Sequence, residues 1–157
     1  MKIYFLKILI RPYTTEFLEF AKEHFNLVLF TASIQDYADA IVNHIDPLDE
    51  FFKLRLYRES CLEFKSFFIK DLSIFETFGL KDMIIVDNCL FSFARNLKNG
   101  ILIPSYYSDS EDRQLLIVKE YLEKMIDSKD IRDINESYYG LESIKNFLYE
   151  KLQKEGL

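Results

Sequence analysis

The sequence is poor in residues that interrupt a chain or staple it. Three prolines and four glycines in 157 residues leave no room for a long linker or a low-complexity tract, and no internal repeat is visible. Two cysteines, Cys61 and Cys89, are too few for a disulfide framework and point to a reducing compartment. No apolar run reaches transmembrane length. Lys and Arg number 20 against 26 Asp and Glu, a net charge of −6, so the basic surface that attracts a nucleic-acid backbone is lacking. The opening MKIYFLKILIRPY has a basic residue and an apolar stretch but no small-residue cleavage site. It reads as a strand, not a signal peptide. These absences leave a soluble, intracellular domain. What is present fits one: 49% apolar and 29% charged residues are a globular balance, in a chain long enough to bury a core.

Apolar spacing then divides the chain. KIYFLKILI, residues 2–10, is β-rich. Thr14 or Thr15 can cap a helix reaching about His24, with Phe17, Leu18, Ala21 and Phe25 facing inward. NLVLF, residues 26–30, is a short continuous apolar run, as expected of a strand buried on both faces. Ser33 is the expected N-cap of the next helix, with Asp36 three residues on as a capping-box variant, and Pro47 ends that helix. Short strands are expected at LRLY (54–57) and FFI (67–69), and buried parallel strands at MIIV (83–86) and ILI (101–103). A helix is expected over 110–126, then a polar spacer, then a last amphipathic helix carrying Leu141, Ile144, Leu148 and Leu152. Strands alternating with helices predict an α/β fold with a mainly parallel sheet. The expected division is a main domain over residues 1–127 and a C-terminal polar segment and helix over 128–157.

Open parallel sheets bind ligands at the carboxyl ends of their strands, so the residue after each apolar run matters. NLVLF is followed by Thr31, LRLY by Arg58, FFI by Lys70, and MIIV by Asp87 and Asn88. Thr, Lys and Arg donate hydrogen bonds to phosphate oxygens, and an aspartate suits Mg²⁺. Taken singly, each is also an ordinary turn residue; the coincidence of all of them reads as a magnesium–phosphate site. His24 and His44 have no partners at metal spacing and read as structural or surface residues. Cys61 and Cys89 read as small buried fillers, and Tyr106 and Tyr107 as packed aromatics.

In order, RPYTTEFLEF, LFTASIQDYADAIV, LYRESC, IKDLS and IIVDN, followed by NGILIPSYYSDSEDRQLL, closely resemble the small phosphatases acting on the C-terminal tail of RNA polymerase II. These form the NLI-interacting-factor-like branch of the haloacid dehalogenase superfamily. The resemblance runs from about residue 3 to 125 and implies a Rossmann-like fold. It implies a Mg²⁺-dependent reaction on phosphoserine or phosphothreonine in a protein or peptide, in the nucleus or cytoplasm. It also assigns roles. Thr31 binds the substrate phosphate, Lys70 neutralises phosphate and nucleophile, and Asp87 ligates Mg²⁺ with Asn88 beside it. Arg58 reaches the phosphoserine substrate, and Ile34 and Tyr37 belong to an apolar pocket.

One piece of the family pattern is not in these 157 residues. The reaction runs through an aspartyl-phosphate, formed on the first aspartate of an Asp-x-Asp-x-Thr motif that ends the family's first strand; the second aspartate is the general acid and base. No Asp-x-Asp-x-Thr occurs in the sequence. Without it Lys70 and Asp87 can bind and polarise a phosphate but supply no nucleophile. Three expectations remain: a phosphatase whose N-terminal segment is absent from this chain, a pseudophosphatase that binds phosphopeptide or a partner protein, or a scaffold like the related mitochondrial import subunit. The family's first strand is central, so residues 2–10 are expected to fill its place.

Overall fold

The computed structural model describes residues 7–154. Helix α1 (Thr14–His24) buries Leu18 and Ala21, with Glu16 in its first turn and Lys22 and His24 in its last, as the helix dipole favours. Neither threonine caps it. Tyr13 holds the cap position in the left-handed region (φ 65°), and the Thr14 hydroxyl instead donates to the Arg11 carbonyl at 2.7 Å.

Strand β1 (Leu27–Phe30) runs parallel to β2 (Phe52–Leu56), and α2 (Gln35–Ile45) connects them. Helix α2 buries Ala38 and Val42 as its apolar spacing predicts, but its cap is Ile34, not Ser33. Ser33 belongs to the preceding turn: its N–H donates to Thr31 Oγ1 and its carbonyl accepts from the Arg58 N–H. Past the helix, buried Asp46 accepts from the Glu50 and Phe51 N–H groups and fixes the turn through Pro47. Burial of β1 on both faces does not hold. Val28 and its register partner Leu54 are 37% and 44% exposed on one face of the pair, which no described element fully covers.

Strands β3 (Leu62–Phe64) and β4 (Phe67–Ile69) form an antiparallel hairpin that turns at Lys65 (φ 53°). Only β4 was expected from sequence. Strand β5 (Ile85–Asp87) lies parallel to β6 (Gly100–Leu102), joined through tight 3-10 turns over Leu90–Asn99. The mainly parallel arrangement thus exists, among the described residues, as two parallel pairs and one hairpin, not one continuous sheet. Of the strand expected at residues 2–10, residues 2–6 lie outside the described residues, and residues 7–10 form no strand.

Strand β5 is covered on both faces, as its continuous apolar run predicts. Ile85 packs with Leu72 and Phe93. Val86 packs against the larger core of Ile101, Ile103, Val118, Tyr121, Leu122, Met125 and Ile131. Helix α3 (Gln114–Glu123) supplies Val118, Tyr121 and Leu122 to that core. The segment expected to be a polar spacer contains a helix, α4 (Ile131–Tyr139), and α5 (Leu141–Lys154) follows. The Asp130 side chain caps α4 by accepting from the Arg132 N–H, and Gly140 ends it in the left-handed region (φ 56°). Ile131 joins the larger core, and Leu141 and Leu148 of α5 are buried. Among the described residues no helix is long and apolar enough to cross a membrane.

Candidate functional site

Thr31 continues the β1–β2 ladder by one bond, its N–H donating to the Leu56 carbonyl at 2.9 Å. The ladder therefore fixes where its hydroxyl stands. Thr31 Oγ1 accepts from the Ser33 N–H at 3.1 Å, which leaves its own hydrogen to donate elsewhere. Arg58 opens the 3-10 turn after β2 (Arg58–Ser60) and is bound to the Thr31–Ser33 turn twice. Its backbone N–H reaches the Ser33 carbonyl at 3.0 Å and its Nε the Ala32 carbonyl at 2.7 Å. The guanidinium carbon stands 5.0 Å from the centre of the Phe68 ring. Those contacts leave the two terminal amino groups of Arg58 for a ligand.

Lys70 comes from the end of the hairpin, not from a parallel strand. Its N–H donates to the Ser92 carbonyl at 2.6 Å, and its ammonium is paired with Asp87 Oδ2. Asp87 is set by β5: its carbonyl accepts from the Ile103 N–H at 3.0 Å and its Oδ1 from the Cys89 N–H at 2.7 Å. The Lys70 and Asp87 side chains are 11% and 6% exposed. Cys61 stands beside the Thr31 turn. Its Sγ lies 3.8 Å from the Thr31 carbonyl oxygen, and its thiol feels both charges of the pair. Burial pushes that thiol above its ordinary value, Lys70 pulls it down and Asp87 pushes it up.

Two direct pairings result, Arg58 with the Thr31–Ser33 turn and Lys70 with Asp87, and the Phe68 ring, two residues before Lys70, lies against Arg58. Asn88 is exposed, and its amide donates to Ser105 Oγ at 2.9 Å. Ile34 and Tyr37 stand at the start of α2, 54% and 45% exposed. Cys61 and Cys89, expected as small buried fillers, are both only half-buried, with Cys61 against the Thr31 carbonyl, and Phe68 was not singled out at all. Only the motif LYRESC pointed at Cys61; nothing in the sequence pairs Phe68 with Arg58, because that depends on where the hairpin docks. Tyr106 packs under the Arg11 guanidinium at 5.6 Å, whereas Tyr107 is 82% exposed. His24 packs beside Phe20 with ring centres 4.9 Å apart.

A hydroxyl, a guanidinium and an ammonium are donors of the kind that suit a phosphate group, since charge-assisted bonds to its oxygens are strong. Mg²⁺ is another matter. It demands a near-octahedral set of oxygens, and Asp87 already has Lys70 on one oxygen and a backbone N–H on the other. Among the described residues no group of three or more His, Cys, Asp or Glu is placed to hold a metal. The residues present do not by themselves make a Mg²⁺ site.

Comparison with known proteins shows the family. The description of the NLI interacting factor-like phosphatases matches residues 2–132. CTD small phosphatase-like protein 2 of Dictyostelium discoideum is 38% identical over 122 residues, covering 78% of this chain and 21% of that protein. Human carboxy-terminal domain RNA polymerase II polypeptide A small phosphatase 2 is 35% identical over 130 residues, covering 83% of this chain and 46% of that protein. The chain thus spans between about a fifth and a half of these relatives' lengths. A solved structure of Fcp1, an essential RNA polymerase II CTD phosphatase, matches with a TM-score of 0.56 at 19% identity, over 90% of this chain and 38% of that one. It shares the α/β haloacid dehalogenase-type fold expected from sequence. With the match running through every strand of the site, the chain belongs to the family of NLI interacting factor-like phosphatases.

Proposed function

We propose that this chain carries the phosphate-recognition half of a protein phosphatase site and binds phosphoserine or phosphothreonine in a protein or peptide segment. The observation that carries the reading is the buried Lys70–Asp87 pair at the end of β5, together with the Phe68 ring of the same hairpin against Arg58, which is bound to the Thr31–Ser33 turn. Thr31 donates its hydroxyl to a phosphate oxygen. The Lys70 ammonium has three N–H donors, so it can serve Asp87 and a phosphate together. Arg58 adds its terminal amino groups at the rim.

Hydrolysis needs an aspartyl nucleophile and its acid–base partner, which in this reading come from an Asp-x-Asp-x-Thr segment that the 157 residues do not include. Further Mg²⁺ ligands come with it. A second reading, a pseudophosphatase that binds without turnover, is favoured by the fact that recognition needs only residues already in the chain. The two share one test. A phosphoserine peptide titrated into the chain binds, and Thr31→Val weakens it about tenfold or more, the worth of a hydrogen bond to a charged group. Equal binding of the unphosphorylated peptide would sink both readings.

A further inference from the structure

The contacts of Arg58 define its position more fully than a rim residue requires. Its Nε is committed to the Ala32 carbonyl at 2.7 Å. Its backbone N–H is committed to the Ser33 carbonyl at 3.0 Å. Its guanidinium plane is backed by the Phe68 ring, 5.0 Å from carbon to ring centre. Arg58 itself is exposed, so without these contacts its side chain would sample many rotamers. Phe68 sits on β4, two residues before Lys70. The hairpin strand that delivers Lys70 to Asp87 thus also delivers a ring to Arg58. On its other side the hairpin is held by Phe67, whose ring stacks on Phe91 at 4.4 Å.

We infer that Phe68 is a positioning residue for phosphate recognition: it acts through Arg58, fixing the guanidinium against the Thr31–Ser33 turn so that only its terminal amino groups are presented. This rests on the reading of the site as phosphate-binding and deepens it. The turn holding Thr31 and the hairpin holding Lys70 are linked through one side chain, so the three donors keep a fixed spacing. A lysine at position 58 could not reproduce this, because it has no Nε bond to give while also stacking and presenting a fork.

A double-mutant cycle tests it on the full chain with a phosphoserine peptide. Phe68→Ala is expected to weaken binding about three- to fivefold when Arg58 is present, the size of an exposed cation–π contact, and to have almost no effect in Arg58→Ala. Phe68→Tyr, which keeps the ring face, restores the affinity. An equal loss in both backgrounds, or no loss in either, would overturn the inference. A second readout needs no ligand: the Arg58 Nε–H resonance of the free protein is ring-shifted and protected from exchange, and loses both properties in Phe68→Ala but not in Phe68→Tyr. An unshifted resonance in the unmutated chain would remove the stacking itself. If the chain bound no phosphopeptide while the resonance behaved as expected, the phosphate reading would be the part that failed.

Discussion

At the scale of residues, Thr31, Lys70 and Asp87 could be singled out as candidates because each ends or follows an apolar run, and apolar runs are what a sequence displays most plainly. Cys61 and Phe68 were hidden, since their importance depends on which surfaces the hairpin meets. The Lys70–Asp87 pair makes a stability prediction. Removing one member strands the other charge in a nearly closed place, so Lys70→Ala should cost about 3 kcal/mol in urea melts. Lys70→Met combined with Asp87→Asn should recover most of it, because the penalty is an unpaired charge, not a lost contact. Tyr121 makes a pH prediction. Burial, reinforced by Tyr139 and Tyr138, pushes its phenol from 10.0 up to about 12. The unfolded phenol ionises near its ordinary value while the folded one stays neutral. Its stabilising contribution is therefore complete below pH 10.0 and is lost as the pH rises towards about 12. One tyrosine should titrate late by phenolate absorbance, and Tyr121→Phe should remove that late component.

At the scale of elements, the strongly periodic segments α1, α2, β5 and α3 were recognisable, with ends displaced by a few residues. Helix α4 was not. Its apolar positions Ile131, Ile134, Tyr138 and Tyr139 do have helical spacing, but the charged residues among them read as a spacer, and its central inward residue is polar. That residue, Asn135, is fully buried; its amide donates to the Lys98 and Gly100 carbonyls at 2.8 and 3.3 Å and its oxygen accepts from the Tyr121 hydroxyl at 2.8 Å. Asn135→Leu leaves those groups without their partner and should cost about 2–4 kcal/mol by denaturant melting. The hairpin was half-missed because its turn at Lys65 lacks the Asn-Gly or Gly signature of such turns. Gly100, at the start of β6, is needed for a different reason. A β-carbon there would fall on the buried Phe93 ring, so Gly100→Ala should lower stability by about 1–3 kcal/mol and loosen the β5–β6 pair that carries Asp87.

At the scale of the whole molecule, the two parallel pairs and the hairpin carry the candidate donors on three separate stretches of chain, in a protein of net charge −6. In the reading proposed above, the site binds phosphate without metal and draws its nucleophile from a segment these 157 residues do not include. With Mg²⁺ and an aryl phosphate, the 157-residue chain is therefore expected to turn over no faster than its Asp87→Asn variant, and clear Asp87-dependent turnover would mean that another carboxylate acts as the nucleophile. The central claim, that these residues form a phosphate-recognition site in their own right, is tested most directly by calorimetric titration of the chain in EDTA with a phosphoserine peptide and its serine counterpart. The account predicts saturable binding of the phosphorylated peptide alone, unchanged when Mg²⁺ replaces the chelator. Indifference to the phosphate, or binding that appears only with Mg²⁺, would contradict it.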